Sequence, residues 1–279
     1  MRDDQGERDC FLAGQRAVVG DRVCWVVARG SGGKLVSTEP RTTVLRRMDS
    51  RGREQLLAAN LRGLLVTMSA REPGFRVSLL HRYIVVAHQD GLDLVLILNK
   101  TDLGVPEEVE AHLALLEPTG LRVLRTSAKT GEGIEGLRRF LAAEAEGGPW
   151  ALVGSSGVGK TSLIVALLPD AEVGAIAEIS SYWGTGRHAT THSRLFTLPD
   201  GGEIADSPGI RNLTPVIRDP VDLRLYFPRV GSVSCKFRDC QHRPEEEGCT
   251  AEAEVPAPLL ASYRFLLEEL TEVAETSKP

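Results

Sequence analysis

The sequence predicts an α/β protein with a central parallel β-sheet, a small β unit before it and a cysteine-containing, mainly helical region after it. Between residues 61 and 168, short apolar runs alternate with segments of helical periodicity, the pattern of a parallel sheet covered by helices on both faces. Residues 1–52 contain short β-like runs separated by glycine-rich turns, and three of the five cysteines cluster near the C-terminal end. We therefore predict three units, residues 1–52, 53–214 and 215–279.

Composition is typical of a soluble globular protein, with 42% hydrophobic and 25% charged residues. No apolar run approaches the roughly 18 residues of a membrane span, and residues 1–10 are charged rather than signal-like. We therefore expect a cytoplasmic protein, monomeric and without a membrane partner. The net charge of −5 is uneven, because residues 245–279 hold nine acidic and two basic side chains. Residues 1–52 and 211–244 carry small basic excesses, and this local positive charge is compatible with a nucleic-acid partner.

Strands and helices alternate along the predicted sheet domain. The predicted strands cover residues 64–66, 92–98, 121–124, 150–153 and 203–205. The predicted helices cover residues 77–89, 107–117, 134–144 and 160–168, and a closing amphipathic helix covers 259–273. Residues 142–149 are interpreted as a linker between two halves of the domain. Loops at the carboxyl ends of parallel strands converge at one edge, which is where a ligand site is expected.

A glycine-rich turn follows the strand at 150–153 and precedes a helix. Its sequence, Gly154-Ser155-Ser156-Gly157-Val158-Gly159-Lys160-Thr161, matches the G-x-x-x-x-G-K-[ST] pattern. Its glycines let backbone amides surround phosphate oxygens, Lys160 would neutralise the β and γ phosphates, and Thr161 would bind Mg²⁺. The helix that follows, with Ser162 in its first turn, presents its positive end to the anion. We predict that residues 154–162 bind nucleotide phosphates; the alternative is a glycine-rich turn without a ligand.

A second motif, Asn99-Lys100-Thr101-Asp102, follows the strand at 92–98. The Asp102 carboxylate can accept hydrogen bonds from N1 and the 2-amino group of guanine, a donor pair that adenine lacks. Asn99 and Lys100 would brace the loop and cover the base, and Thr101 belongs to the same loop. Ser127-Ala128-Lys129, at the end of the next strand, could present a backbone amide to the guanine carbonyl. The two motifs together predict GTP and GDP as ligands, whereas either alone is compatible with a polar turn.

The order of these motifs is unusual, because the base motif precedes the phosphate loop. Asp206-Ser207-Pro208-Gly209 follows a further predicted strand. Asp206 would be the outer-sphere carboxylate of Mg²⁺, and the Gly209 amide would meet the γ phosphate. Converging loops can build the same pocket whatever their chain order, so the sequence predicts a circularly permuted GTPase.

A metal site is predicted by Cys235-x₄-Cys240-x-His242-x₆-Cys249. Three thiolates and one imidazole form a closed tetrahedral set, which is typical of structural Zn²⁺ and leaves no open position for catalysis. Reduced, unligated cysteines are the alternative. Nearby basic residues could contact RNA phosphates or simply form a solvated face; they are Lys236, Arg238 and Arg243.

The sequence resembles the ribosome small-subunit-dependent GTPase family, RsgA or YjeQ. The matching segments are Val19-Gly20-Asp21-Arg22-Val23, Ala58-Ala59-Asn60, 99–102, 154–163, 186–192, 206–209 and 235–249. The resemblance implies a circularly permuted P-loop GTPase domain with an N-terminal OB-like β-barrel and a C-terminal zinc-binding, mainly helical domain. It also implies late maturation of the small (30S) ribosomal subunit, with the subunit and its rRNA as partners.

Residues 186–192 are polar and contain glycine, as a nucleotide-sensing switch should. We predict that Thr190 binds Mg²⁺, with Thr191 as the alternative. Ile210 stands where Ras-like enzymes place a water-orienting Gln, so slow intrinsic hydrolysis is expected. The family resemblance implies that His188 positions the water, although a loop hydrogen bond or an RNA contact is equally compatible with it.

Two other functions remain open from the sequence. The chain could be an RNA-binding scaffold in which GTP only sets the conformation, since the usual Gln is missing. It could also be a GTPase that acts on another RNA, such as tRNA.

Overall fold

The computed structural model describes residues 2–3, 6–7, 9–12, 14, 16–28, 32–168, 194–206, 210 and 213–276. The predicted switch at 186–192 and residues 207–209 lie outside this part of the chain.

The N-terminal region consists of short strands. They are β1 (Arg2–Asp3), β2 (Gly6–Glu7), β3 (Cys10–Phe11), β4 (Val23–Val27), β5 (Gly33–Thr38), β6 (Val44–Met48) and β7 (Glu54–Ala59). Strands β1 and β2 pair with each other, β3, β5 and β4 form a three-stranded sheet, and β6 pairs antiparallel with β7. A bridge from Val19 to Ala58 connects β7 to the start of the unit. The domain boundary at residue 52 stays a prediction. The pairing of β7 with β6 associates residues 54–59 with the N-terminal strands.

Within the described residues, the central sheet has six strands. They are β8 (Gly63–Ser69), β9 (Asp93–Asn99), β10 (Arg122–Arg125), β11 (Trp150–Val153), β12 (Arg194–Thr197) and β13 (Glu203–Asp206). The spatial order is β10-β9-β8-β11-β13-β12, and only the β12–β13 pair among these neighbours is antiparallel. Every residue of β8 is buried, as expected for a central strand covered on both faces. The predicted parallel sheet is confirmed.

Helices cover both faces of this sheet. They are α1 (Val77–Gln89), α2 (Glu107–Leu116), α3 (Ile134–Ala143) and α4 (Lys160–Leu167), with 3₁₀ turns at Thr101–Leu103, Glu117–Thr119 and Ala145–Gly147. Leu80 of α1 packs with Val66 on one face, whereas Leu137 of α3 packs with Leu65 on the other. Successive β8 residues therefore face opposite cores, which is the period-two alternation of a strand.

The C-terminal region is mainly helical. It contains a 3₁₀ helix at Pro220–Tyr226, then α5 (Pro228–Gly231), α6 (Ala251–Glu254) and the long helix α7 (Ala257–Thr276). Its core includes Val85 of α1, and Arg82 of α1 forms a 2.5 Å ion pair with Glu269 of α7. The region is therefore packed against the sheet domain through α1. Within the described residues, no helix combines the length and apolarity that crossing a bilayer requires.

Candidate nucleotide-binding site and metal centre

The glycine-rich loop connects β11 to α4 at the carboxyl edge of the sheet. It turns through positive φ at Gly154 (142°), Gly157 (82°) and Gly159 (96°). A side chain at Gly159 would collide with the Asn99 amide, and one at Gly154 would collide with the backbone of Thr67. Glycine at both positions therefore permits a close turn whose backbone amides can approach phosphate oxygens.

Lys160 begins α4 at the end of this loop. Its Nζ donates hydrogen bonds to the carbonyl oxygens of Gly154 (2.8 Å) and Ser155 (2.7 Å). The ammonium group and the positive end of α4 thus lie together at one glycine turn, an electrostatic match for phosphate groups. The next two residues, Thr161 and Ser162, are exposed at the helix start.

Asn99 connects three loops of the site. Its Nδ2 donates to the carbonyl of Val158 in the glycine-rich loop (2.9 Å). Its Oδ1 accepts from Thr126 Oγ1 (3.1 Å) and from the Ala128 amide (3.2 Å). Asn99 is 1% exposed, so these bonds are protected from water. The base motif, the Ser127-Ala128-Lys129 loop and the phosphate loop are therefore held in one arrangement.

Asp102 lies on the exposed 3₁₀ turn after β9. Its Oδ1 accepts a 2.6 Å hydrogen bond from the buried Ser127 hydroxyl, which fixes the carboxylate direction. Thr101 adds two bonds to the Thr126 carbonyl, from its amide at 3.2 Å and its hydroxyl at 3.1 Å. An exposed, oriented carboxylate is what reading the donor edge of guanine requires.

Lys100 has positive φ (61°), and its Nζ donates to the carbonyl of Glu72. Its side chain therefore extends from the base motif towards the loop after β8. Lys129, predicted to belong to the same site, is exposed beside Ala128.

Sequence reasoning missed Tyr83, which is fully buried on α1. Tyr83 hydrogen-bonds the backbone of Gly154, and burial raises the pKa of its hydroxyl to about 12. The helical periodicity of 77–89 indicated only that Tyr83 would face the core. No sequence signal connects it to a loop about 70 residues later, because that contact exists only once α1 packs under β11.

The magnesium and switch predictions are only partly within the described chain. Asp206 ends β13, beside β11, and Thr161 lies at the start of the helix after β11. His188, Thr190 and Gly209 lie outside the described residues. Ile210 is fully buried in the core of the sheet domain, so its side chain is not directed at a solvent-filled site.

The four predicted zinc ligands come together in the C-terminal region. Nδ1 of His242 lies 3.5 Å from Sγ of Cys235 and 3.6 Å from Sγ of Cys240 and of Cys249. The sulfurs of Cys235 and Cys249 are 3.9 Å apart, and all four ligand atoms lie within 4.8 Å of one another. Tetrahedral Zn²⁺ bonds place ligand atoms about 3.6 to 3.8 Å apart. The donor set and its spacing therefore fit this ion.

Burial shifts the pKa values of two of the four ligands, His242 and Cys240. It lowers the pKa of His242, so the imidazole is neutral at pH 7 with Nδ1 among the sulfurs. Burial also raises the pKa of the Cys240 thiol to about 12, and a coordinated dication would reverse that effect by stabilising the thiolate. Outside the ligands, Arg264 Nε donates to the His242 carbonyl (2.6 Å), and Glu246 accepts from the Gln241 amide (3.0 Å).

The sheet, the glycine-rich loop and the base motif define a class of protein. A phosphate loop bonded to an Asn-Lys-x-Asp motif at the carboxyl edge of a parallel sheet is the arrangement of a guanine-nucleotide-binding P-loop protein. Here the base motif precedes the phosphate loop in the chain, so the class is that of the circularly permuted GTPases.

Comparison with known proteins identifies the family. The sequence model of the RsgA GTPase family matches residues 38–215. The chain is 38% identical to "Small ribosomal subunit biogenesis GTPase RsgA" of Pseudomonas syringae pv. tomato, over 91% of this chain and 75% of that protein. The protein of the same name from Azotobacter vinelandii is 39% identical over the same shares. This chain belongs to the RsgA GTPase family.

Solved structures show the same fold. The crystal structure of YjeQ from Thermotoga maritima has a TM-score of 0.66 and 26% identity, and the match covers 96% of this chain and 92% of that one. YloQ, described as a circularly permuted GTPase, has a TM-score of 0.60 and 24% identity, covering 99% and 90%. The predicted permuted GTPase fold is confirmed.

Proposed function

We propose that this chain hydrolyses GTP as a late maturation factor of the small ribosomal subunit. The observation that carries the nucleotide part is the Asn99 bond network, which joins the base motif to the phosphate loop. The relatives' names, with their identity over most of the chain, support the ribosomal part. A bacterial factor of this kind acts in the cytoplasm, and we expect it to act as a monomer.

Individual roles follow from the positions of the residues. Lys160 and the amides of the glycine-rich loop hold the phosphates, and Asp102 selects guanine. Thr161 and Asp206 would hold Mg²⁺, which supplies charge neutralisation at the phosphates when bound. Thr190 remains the proposed switch ligand of Mg²⁺, and His188 the proposed water-positioning residue.

We assign the remaining regions to structure and RNA contact. The site at Cys235, Cys240, His242 and Cys249 is proposed to hold one structural zinc ion. The N-terminal β unit and the basic residues beside the zinc ligands are proposed to contact rRNA, since local positive charge attracts a phosphate backbone.

GTP turnover with and without purified small subunits tests the proposal. We expect a slow basal rate that rises strongly with subunits, because Ile210 cannot orient water. Lys160→Ala should remove nucleotide binding and both rates, whereas the exposed α3 variant Arg139→Ala should retain them. No stimulation by subunits would defeat the ribosomal role while leaving the nucleotide site intact.

The water-positioning role of His188 needs its own experiment. His188→Ala should bind GTP with unchanged affinity and slow the single-turnover rate, because the change removes a proton acceptor and no phosphate contact. Unchanged turnover would remove His188 from the catalytic residues.

The burial of Ile210 also favours a second function, an RNA-binding scaffold in which GTP only sets the conformation. Single-turnover measurement with excess subunits separates the two, since intact bound GTP would favour the scaffold. Competition between small subunits and tRNA would reveal a GTPase of a different RNA.

A further inference from the structure

A cleft of about 610 Å³ lies at the opposite edge of the sheet from the nucleotide loops. It is lined by the first residues of three parallel strands, Asp93, Arg122 and Trp150, which mark the amino edge. Tyr226 and Phe227 of the C-terminal region form another wall. The cleft is therefore remote from the phosphate loop and lies between the sheet domain and the C-terminal region.

The walls of this amino-edge cleft are rich in rings. Phe140 packs edge-to-face on Trp150 at 5.2 Å, and Phe227 packs similarly on His81 at 5.5 Å. The volume lies within the range of about 300 to 1,000 Å³ that is usual for small-molecule sites. Size and lining therefore suit a flat, apolar molecule better than a nucleotide.

Two buried side chains that line the cleft carry nitrogen atoms without hydrogen-bond partners in the described structure. They are Nε1 of Trp150, which is 2% exposed, and both ring nitrogens of His81, which is 3% exposed. Buried polar groups are nearly always hydrogen-bonded, and leaving one unpaired costs about 1 to 3 kcal/mol. An indole N–H can only donate, so the group that Trp150 lacks is a hydrogen-bond acceptor.

The charges at the cleft favour an anion. Its acidic residues, Asp93 and Glu144, are both paired with Arg62, at 2.8 Å and 3.3 Å. Arg122 instead stacks 4.5 Å over the Phe140 ring, and neither Arg122 nor Arg229 makes an ion pair within the described residues. Two guanidinium groups beside an apolar cavity are suited to a carboxylate.

We propose that the amino-edge cleft is a second ligand site that binds a small aromatic carboxylate. The ring would lie against the apolar walls of the cleft, and the carboxylate would accept hydrogen bonds from Arg122 or Arg229. Such a ligand would contact both the sheet domain and the C-terminal region at once.

Isothermal titration with 1-naphthoate tests the site, with naphthalene-1-carboxamide as the uncharged control of the same shape. Titrations use the full, zinc-loaded chain saturated with GDP and Mg²⁺, so the probe cannot report the nucleotide pocket. We expect naphthoate to bind about tenfold more tightly than the amide, because the guanidinium groups favour the charged form.

Variants locate the probe. Arg122→Gln should remove most of the preference for naphthoate, whereas Arg125→Gln, on the same strand but paired with Glu110, should retain it. Leu115→Trp, which is partly exposed at the rim, should obstruct the cleft and weaken both probes. Calorimetry reports that each variant is folded, and its thermal transitions, including that of the C-terminal region, are expected to match those of the wild type.

Equal affinity for the two probes, or naphthoate binding that Arg122→Gln and Leu115→Trp leave unchanged, would overturn the proposal. Failure of both probes to bind would also overturn it and would favour a polypeptide as the occupant of the cleft. None of these results bears on GTP turnover, so the proposed GTPase function is tested separately.

Discussion

The nucleotide site and the zinc site are held together in different ways. At the nucleotide site, protein groups from distant parts of the chain bond directly, as in the Asn99 contact with Val158, 59 residues away. At the zinc site, four ligands from a 15-residue segment face one another around a space that suits a metal ion. The geometry of the nucleotide site is therefore fixed by the folded sheet, whereas the geometry of the zinc site depends on a bound ion.

This difference predicts that the nucleotide site and the zinc site respond independently to metal removal and to mutation. The nucleotide loops should keep their geometry without the metal, because Asn99, Thr101 and Ser127 make their bonds to protein groups. Without zinc, the C-terminal region keeps its core, which includes Val85 of α1, and the Arg82–Glu269 ion pair.

Zinc removal should produce the largest effect. Cys240→Ser leaves an incomplete ligand set, and structural zinc contributes about 10 to 16 kcal/mol in small zinc peptides. We expect the C-terminal region to lose its cooperative thermal transition, while GDP affinity changes less than about twofold. The exposed Cys24→Ser should match the wild type in calorimetry and in zinc content. A large loss of GDP affinity in Cys240→Ser would show that the two sites are not independent.

Acidification should destabilise the interface between α1 and the C-terminal region. Burial lowers the pKa of His81 to about 3, with a further contribution from His112, whereas the unfolded chain takes up the proton near pH 6.5. The unfolded state therefore binds more protons below pH 6.5, and stability falls by about 1.4 kcal/mol per pH unit as the pH drops towards 3.

Urea unfolding at pH 6 and pH 4 measures this dependence. His81→Leu should remove about 2 to 3 kcal/mol of the difference between the two pH values. His88→Leu, an exposed position on the same helix, should retain it, and any acid release of zinc affects both variants alike. Equal pH dependence in the two variants would contradict the assignment to His81.

Removing the Asn99 side chain should weaken nucleotide binding. Asn99→Ala leaves the Val158 carbonyl and the Ala128 amide without their partner, at about 1 to 3 kcal/mol in total, so GDP affinity should fall by a factor of about 5 to 150. Asn60→Ala is the matched control, because Asn60 makes similar bonds to Thr42 and Gly20 in the N-terminal unit. Asn60→Ala should lose stability and keep GDP affinity. Equal losses of GDP affinity in the two variants would show that Asn99 does not specifically support the nucleotide site.

The smallest effect is expected from Tyr83→Phe. It removes one hydrogen bond to Gly154, about 1 kcal/mol, so GDP affinity should fall about fivefold with little change in fold. Tyr226→Phe, in the C-terminal region, should bind GDP as the wild type does. A fluorescent-nucleotide titration resolves a change of this size, and unchanged affinity would limit Tyr83 to a packing role.

Local patterns in the sequence predicted most of the fold. Helix α1 and strand β11 have the predicted bounds, because a 3.6-residue apolar period and a short apolar run before a glycine turn are local signals. The four zinc ligands were also predictable, since they lie within 15 residues.

Contacts between distant residues were not predictable. The motif residue Asn99 was assigned to bracing its own loop, but its bonds to Val158 and Ala128 depend on strand order in space. The amino-edge cleft is similar, because Asp93, Arg122 and Trp150 become neighbours only when their strands align. Local motifs identified the residues predicted to bind nucleotide and zinc. The order of the strands in the sheet determines which distant residues contact one another.

Guanine selection depends on Asp102, which lies on a loop bonded to the phosphate site. Competition of GTP and ATP for bound fluorescent GDP, with wild type and Asp102→Asn, tests it directly. We expect the wild type to prefer GTP by more than about a thousandfold, and the variant to lose most of that preference because an amide donor replaces the acceptor that guanine needs. Equal competition by ATP and GTP in the wild type would contradict the account.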